Sequence, residues 1–449
     1  MIASSVDNVT RVLSMNEFAG RGAGSGRRAF VRGMTAVAAT SCIRRPQAAG
    51  SRARLAMLVP ASEREVWSPL ADAFERSHPS TRVHLVEGPS STDLRENLYT
   101  ASLLAGDDSF DLVLMDVTWA AKFAAAGWLA PLDAAFGREA QEAFLPQALE
   151  AGRYDGRLYR IPMRTDVGVL YFRRDWLDQA GRQPPRTFEE LAQAARALQD
   201  PPHRWGFVWQ GSQYEGLVCF FLEVLRGHGG FWVDAATLDV GLDRPESVAA
   251  LEFLRGARLE QPISPPGVTT YKEEESRRLF QDGRAIFLRN WPYVWRLAQA
   301  ADSPLAGKVG VQAMVSVSGQ PGAGTLGGWG LGVSRYSPNP DLAVAFIRHA
   351  TSIDGQRALC RTSGYVPARI QALEDPVLLG ANPFLATLRT IHESAVARPG
   401  LPRYALASDI LQRRLSAALA GMASASDTLR TAARETRQIL EGSAGRGDP

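Results

Sequence analysis

Three aromatic rings and a set of carboxylates stand where side chains can do binding chemistry. Trp291 and Tyr293 flank Pro292 in NWPYVW, so both rings sit on backbone that the proline restricts. Trp329 lies in GGWGL, where Gly327, Gly328 and Gly330 let other groups approach the backbone closely. Rings so placed serve as stacking platforms or as core, since tryptophan is commonly buried. Asp116 ends the apolar run FDLVLMD, and Asp166 sits inside the extended stretch GRLYRIPMRTDVGVLYFRRDWL. A carboxylate in such surroundings is costly unless donors reach it. That points to ligand binding at both, with helix capping the other use of Asp116. Glu63 falls at the first strand-to-helix turn, where a ligand and the helix dipole are equally good partners. Arg95 reaches either a pocket or solvent, and Glu273 opens the acidic run Glu273–Glu275, ordinarily a solvated face.

The elements that must hold these residues alternate. LAMLV, RVHLVEG and FDLVLMD have the short apolar character of strands. Between them, SEREVWSPLADAFERSHP and TDLRENLYTASLLAG carry apolar residues at helical spacing. Strand, helix, strand, helix, strand predicts parallel βαβ units with right-handed crossovers. Ligands in such sheets sit beyond the carboxyl ends of the strands, which puts Glu63 and Asp116 on one rim. The stretch holding Asp166 is long for one strand and is expected to cross from one lobe to another. Downstream, Thr187–Gln199 is an amphipathic helix whose Thr187 and Glu190 form a capping box. The tract SDILQRRLSAALAGMASASDTLRTAARETRQILE predicts one or two further helices.

Composition excludes several classes. The chain has 449 residues, 45% hydrophobic and 22% charged, which is ordinary for a globular protein of more than one domain or lobe. A net charge of +3 makes no electrostatic case for a nucleic-acid partner. The three cysteines form no CxxC, no GxGxxG or GxxxxGK[ST] follows a strand, and the histidines lack HExxH spacing. No metal and no cofactor are therefore expected. Cys219, inside LVCFFLEVL, is expected to be a small buried hydrophobe. At the start, Arg27-Arg28 followed by Phe30, Val31 and Arg32 resembles a twin-arginine export signal. Ala39-Thr40-Ser41-Cys42 is similar to a relaxed lipobox, so Cys42 is the candidate lipidation site, although Ala39 stands where leucine is usual. The run Met34–Thr40 is too short to span a bilayer.

Taken in order, FDLVLMDVTWAAKFAAAGWLAPLD, GRLYRIPMRTDVGVLYFRRDWL, GFVWQGSQYEGLVCFFLE, TTYKEEESRRLFQDGRAIFLRNWPYVW and GGWGLGVS resemble the family 1 extracellular solute-binding proteins of ABC transporters. Within that family they are most similar to the trehalose/maltose-binding receptors. The resemblance runs from about Leu55 to about Gln438. It implies an α/β fold of two lobes of the type II periplasmic-binding-protein kind, each a mainly parallel sheet flanked by helices and joined by hinge strands. On this reading residues 1–53 are leader and linker. One lobe holds 54–163 plus 316–365, the other 167–311 plus 371–441, with hinge crossings near 163–167, 311–316 and 365–371. The resemblance further implies an α-glucoside ligand, two permease subunits with an associated ATPase, a monomeric receptor, and a periplasmic location at the outer face of the cytoplasmic membrane.

A sugar offers flat C–H faces and many hydroxyls. Its binder needs aromatic platforms and planar hydrogen-bonding groups, and charge-assisted hydrogen bonds are roughly twice as strong as neutral ones. The resemblance therefore favours Trp291, Tyr293, Gly328, Trp329, Asp116 and Asp166 as ligand contacts. It also implies a carboxylate from Glu273 and a late arginine, Arg403 in RPGLPRY, while Glu63 and Arg95 remain evenly balanced. Tyr214 and Glu215 in QYEGLVC match the family signature and are expected to be structural. Related receptors often carry an aromatic two residues before the hinge aspartate; here that position is Arg164.

Two rival functions share these residues. A secreted glycoside hydrolase needs two carboxylates roughly 5–10 Å apart, one with a raised pKa, and Asp116, Asp166 and Glu273 are candidates. A receptor for a polyamine, phosphate or iron needs acidic boxes, anion nests or Tyr/His ligands instead, and the clustered Trp and Tyr favour sugar.

Overall fold

The computed structural model describes residues 52–234 and 237–444. The export-signal and Cys42 expectations lie outside the described residues. The first strand, β1 (Ala53–Pro60), is apolar at six consecutive buried positions, Leu55 to Pro60. Such a run fits a strand covered on both faces. It pairs in parallel with β2 (Thr81–Gly88) and with β3 (Leu112–Asp116). The crossovers are the helices Arg64–Ser77 and Thr92–Ala105, as the apolar spacing requires. β4 (Leu129–Ala130) and a small hairpin, β5 (Arg153–Tyr154) with β6 (Arg157–Leu158), follow.

The long stretch around Asp166 is two strands. β7 (Ile161–Val167) belongs to the first sheet and β8 (Val169–Arg173) to a second, with Gly168 alone between them. The second sheet adds β9 (Trp205–Val208), β10 (Ala285–Asn290) and β11 (Val309–Ala313), in the order β11-β8-β10-β9. β12 (Leu326–Ser334) and β13 (Val366–Pro367) return to the first, whose order is β13-β7-β12-β3-β1-β2 with β4 on β12. These two sheets centre the two lobes of an α/β fold.

One expected detail is corrected. The sheets are mixed, not mainly parallel. β12 runs antiparallel to β3, β4 and β7, and β8 antiparallel to β10 and β11. The reason is connectivity: helical crossovers give parallel pairing of β1 with β2 and β3 and of β9 with β10, whereas β12 enters the first sheet only after the chain has passed through the second.

Separate apolar cores surround the sheets. Trp67, Phe74 and Phe346 pack against the first. The Glu215–Gly227 helix, apolar almost throughout, packs on the second with the C-terminal helices Tyr404–Leu419 and Ala425–Ala444. Cys219 is buried and free, as its setting predicts. Among the described residues no helix is long and apolar enough to cross a membrane.

Candidate functional site

Strand ends from both sheets converge on a cavity of about 650 Å³. From the first sheet come residues at or just past the ends of β1, β2 and β3: Pro60, Ser62 and Glu63, Ser90 to Thr92, and Asp116. This is the carboxyl edge where α/β sheets place ligands. From the second come Trp291 and Tyr293 after β10, the start of the Glu273–Gln281 helix, and the start of the Glu215–Gly227 helix.

Sheet register assembles the centre of the site. β12 lies between β3 and β7, so Trp329 is opposite Asp116 on one side and Arg164 on the other. Gly327 is likewise opposite Asp166. Gly328 has φ +131°, and a Cβ there would lie 2.6 Å from the Arg164 carbonyl oxygen. Only glycine suits that backbone and that approach.

Arginines organise the acids. Arg164 Nη2 donates to Glu63 Oε1 at 2.9 Å, its Nε lies 3.7 Å from Asp166 Oδ2, and its guanidinium is 3.6 Å from the Tyr365 ring centroid. Burial works to raise the Glu63 carboxyl, but Arg164 overrides it and holds it below the usual range. Asp166 fares differently. Burial, reinforced by Glu63 and Asp116, outweighs Arg164 and pushes it up to about 7. Arg95 donates to the carbonyls of Pro89 and Ser90, each at 2.8 Å, and lies 4.6 Å from the Trp329 ring. It thereby ties the loop after β2 to that indole.

The aromatic wall is half-buried. Trp291 Nε1 donates to Glu273 Oε1 at 3.4 Å, and the ring edge would be 3.1 Å from a Cβ on Gly327. Tyr293 donates its hydroxyl to Glu274 Oε1 at 2.7 Å. Trp119 meets Trp329 edge-on at 5.5 Å and fixes its tilt. A site of this kind grips a flat, hydroxyl-rich molecule by stacking and by multiple hydrogen bonds. Among the described residues no His/Cys/Asp/Glu group is arranged to hold a metal ion.

The structure brings Glu63, Arg95, Asp116, Asp166, Glu273, Trp291, Tyr293, Gly328 and Trp329 to this one cavity. Arg403 is elsewhere: it precedes the Tyr404–Leu419 helix and is absent from the lining. The expected late arginine is instead Arg398, the first residue of the same RPGLPRY run. Its guanidinium pairs with Asp116 at 2.8 Å and Glu215 at 2.7 Å. Tyr214 and Glu215, expected to be structural, also line the cavity, as do Arg164, Tyr365 and Lys272. Tyr214 is 6% exposed, and its Oη has no hydrogen bond of normal geometry, although Glu273 is near enough to add to the effect of burial in raising it. A signal for Tyr214 was present, since it opens the apolar Glu215–Gly227 helix directly beside Glu215. None pointed to Arg398 over Arg403.

Residues 60–357 match a family model described as bacterial extracellular solute-binding protein. A probable ABC transporter-binding protein of Deinococcus radiodurans is 36% identical over 335 residues, 73% of this chain and 79% of the relative. A maltotriose-binding protein of Pyrococcus abyssi is 25% identical over 319 residues, 70% of this chain and 66% of the relative. The solved structure of maltose-bound MalE3 from T. maritima superposes with a TM-score of 0.83 at 36% identity, covering 86% of this chain and all of that one.

Proposed function

This chain belongs to the bacterial extracellular solute-binding protein family, and on that premise we propose that it is the receptor of an ABC sugar importer. The ligand is a trehalose- or maltose-like α-glucoside, with sucrose and glucosylglycerol in the same class, held between the lobes and passed unchanged to a membrane permease pair. The observation that carries this is the cavity itself: two indoles and three phenols on its wall, carboxylates and guanidiniums around them, and both sheets contributing. The maltose-bound MalE3 structure and the maltotriose-binding relative support the sugar class.

The same geometry speaks against hydrolysis. An acid–base pair needs one raised and one free carboxylate. Asp166 is raised, but Glu63 is clamped by Arg164 and Asp116 by Arg398. Of the named candidates Glu273 alone has no arginine partner, accepting instead from Trp291 Nε1, and the glucose-release assay below tests hydrolysis through it.

Capture proceeds by population shift. The lobes move about the passages where the chain leaves one sheet for the other, and sugar favours the closed arrangement through contacts to both. We place the receptor outside the cytoplasmic membrane, exported by the Arg27-Arg28 leader and tethered through Cys42 or free in the periplasm. A thermal-shift panel of trehalose, maltose, sucrose and glucosylglycerol tests the reading. At 100 times its Kd a true ligand stabilises the protein by roughly 2.7 kcal/mol. Glucose release at catalytic turnover, followed in the same samples, would reject the receptor function in favour of a hydrolase.

A further inference from the structure

We infer that Glu223, which does not line the cavity, is a positioning residue for ligand capture: its pair with Arg289 ties the junction between the sheets to the pose of Trp291. The inference rests on the reading of the cavity as a sugar site.

The junction is where separate chain segments meet. Gly168, between β7 and β8, donates its N–H to the Thr325 carbonyl at 3.2 Å. Thr325 directly precedes β12. Val396 accepts from Leu326 N at 2.7 Å and donates to the Gly324 carbonyl at 2.8 Å. Beneath them runs one face of the Glu215–Gly227 helix, presenting Glu215, Cys219 and Glu223 at four-residue spacing. Glu215 pairs with Arg398, the Cys219 carbonyl accepts from Thr325 Oγ1 at 2.7 Å, and Glu223 Oε1 accepts from Thr325 N at 3.1 Å.

Glu223 and Arg289 are both fully buried. Arg289 Nε donates to Glu223 Oε2 at 2.8 Å, and Arg289 Nη2 donates to the other carboxylate oxygen. A Cβ on Gly168 would overlap that oxygen, so the carboxylate fills the space directly under the junction. The same guanidinium lies 4.2 Å from the Trp291 ring and donates to Gln210 Oε1 at 2.9 Å. Gln210 passes the chain on to Ser276 Oγ at 2.7 Å, in the helix whose first residues wall the cavity. One cation thus contacts both the carboxylate that holds the junction and the ring that faces the ligand. A dry apolar pair of similar volume often serves stability equally well, so stability alone does not account for burying two charges here.

The test uses two variants, Glu223→Gln and the apolar double replacement Glu223→Leu/Arg289→Met, the second chosen to preserve packing. Circular dichroism checks folding, small-angle X-ray scattering without ligand reads lobe spacing, and calorimetry with maltose and maltotriose reads affinity. We expect folded proteins whose ligand-free radius of gyration departs from that of the wild type and whose sugar Kd rises at least tenfold. A folded variant with wild-type spacing and wild-type Kd overturns the inference. So does failure of both variants to fold, which makes the pair a folding element alone. If the wild type binds neither sugar, the titration passes to trehalose, sucrose and glucosylglycerol; if it binds none of these the functional reading fails, and lobe spacing still decides the role of Glu223.

Discussion

Arg398 Nη2 lies 2.8 Å from Asp116 Oδ1, in a pair whose side chains are 2% and 8% exposed. The second arm of the guanidinium reaches Glu215, which also accepts from Tyr404 at 2.6 Å and Ser408 at 2.5 Å. A single arginine thereby joins the end of β3 in the first sheet to the first turn of the helix under the second. Desolvation of three charges is offset only while all remain paired.

Replacing Arg398 with alanine leaves two buried carboxylates without their cation. The expected loss is about 3–5 kcal/mol of unfolding free energy, measured by urea denaturation at neutral pH. Arg398→Lys, which supplies one point charge in place of a planar fork, recovers part of it. A loss below about 1 kcal/mol would mean that the pair is solvated and the junction looser than described.

Trp291→Ala removes a ring from the cavity wall while leaving the β10 strand that precedes it intact. Maltose affinity is expected to fall at least tenfold, about 1.4 kcal/mol, with unfolding temperature little changed. Trp291→Phe keeps a flat face and is expected to lie between. Calorimetry that gives equal Kd values for all three proteins contradicts the stacking role.

The Asp166 carboxyl sits near 7 because burial, with Glu63 and Asp116 nearby, outweighs Arg164. Its pKa in an unfolded chain is about 3.9, so the folded value is raised. Between about pH 4 and pH 7 the folded protein holds a proton that the unfolded chain has lost. Stability from this group therefore falls as pH rises through that window and is flat above it. Asp166→Asn is expected to melt higher than wild type at pH 8, with the gap closing toward pH 4. Its sugar affinity is nonetheless expected to drop at least tenfold, since the ligand loses a charged acceptor. In the wild type, affinity should rise with pH up to about 7 as the carboxylate ionises. A pH-independent Kd and an unchanged melting curve contradict this role.

Tyr214 buries a hydroxyl that makes no hydrogen bond of normal geometry at the cavity edge. Tyr214→Phe is expected to leave the unfolding free energy unchanged or higher, because nothing is broken. The same variant should weaken maltose binding about fivefold, the worth of one neutral hydrogen bond near 1 kcal/mol. A loss of stability with unchanged affinity would give the hydroxyl a structural partner instead.

How far the sequence carried the site follows from where each contact originates. Asp116 and Glu63 were readable because they end local units: a strand and a strand-to-helix turn. Trp329 and Asp166 were readable as residues out of place in their segments. Their meeting was not, since it depends on β12 inserting between β3 and β7 from more than 150 residues downstream. Arg398 was missed because both its partners are remote, Glu215 by 183 residues. Nothing local separates it from Arg403, which shares its type, its proline neighbours and its motif. The mixed sheet was missed for the same reason, as periodicity reports which faces are buried and not which strand returns beside which.

The most direct measurement is a calorimetric titration of the wild-type protein with maltose, in the same cell and buffer as trehalose, sucrose and glucosylglycerol. The account predicts saturable heat corresponding to one site per chain for at least one of these, with the sugar recovered unchanged. Absence of heat for all four, at concentrations where the protein remains folded, contradicts the claim that this cavity closes around an α-glucoside.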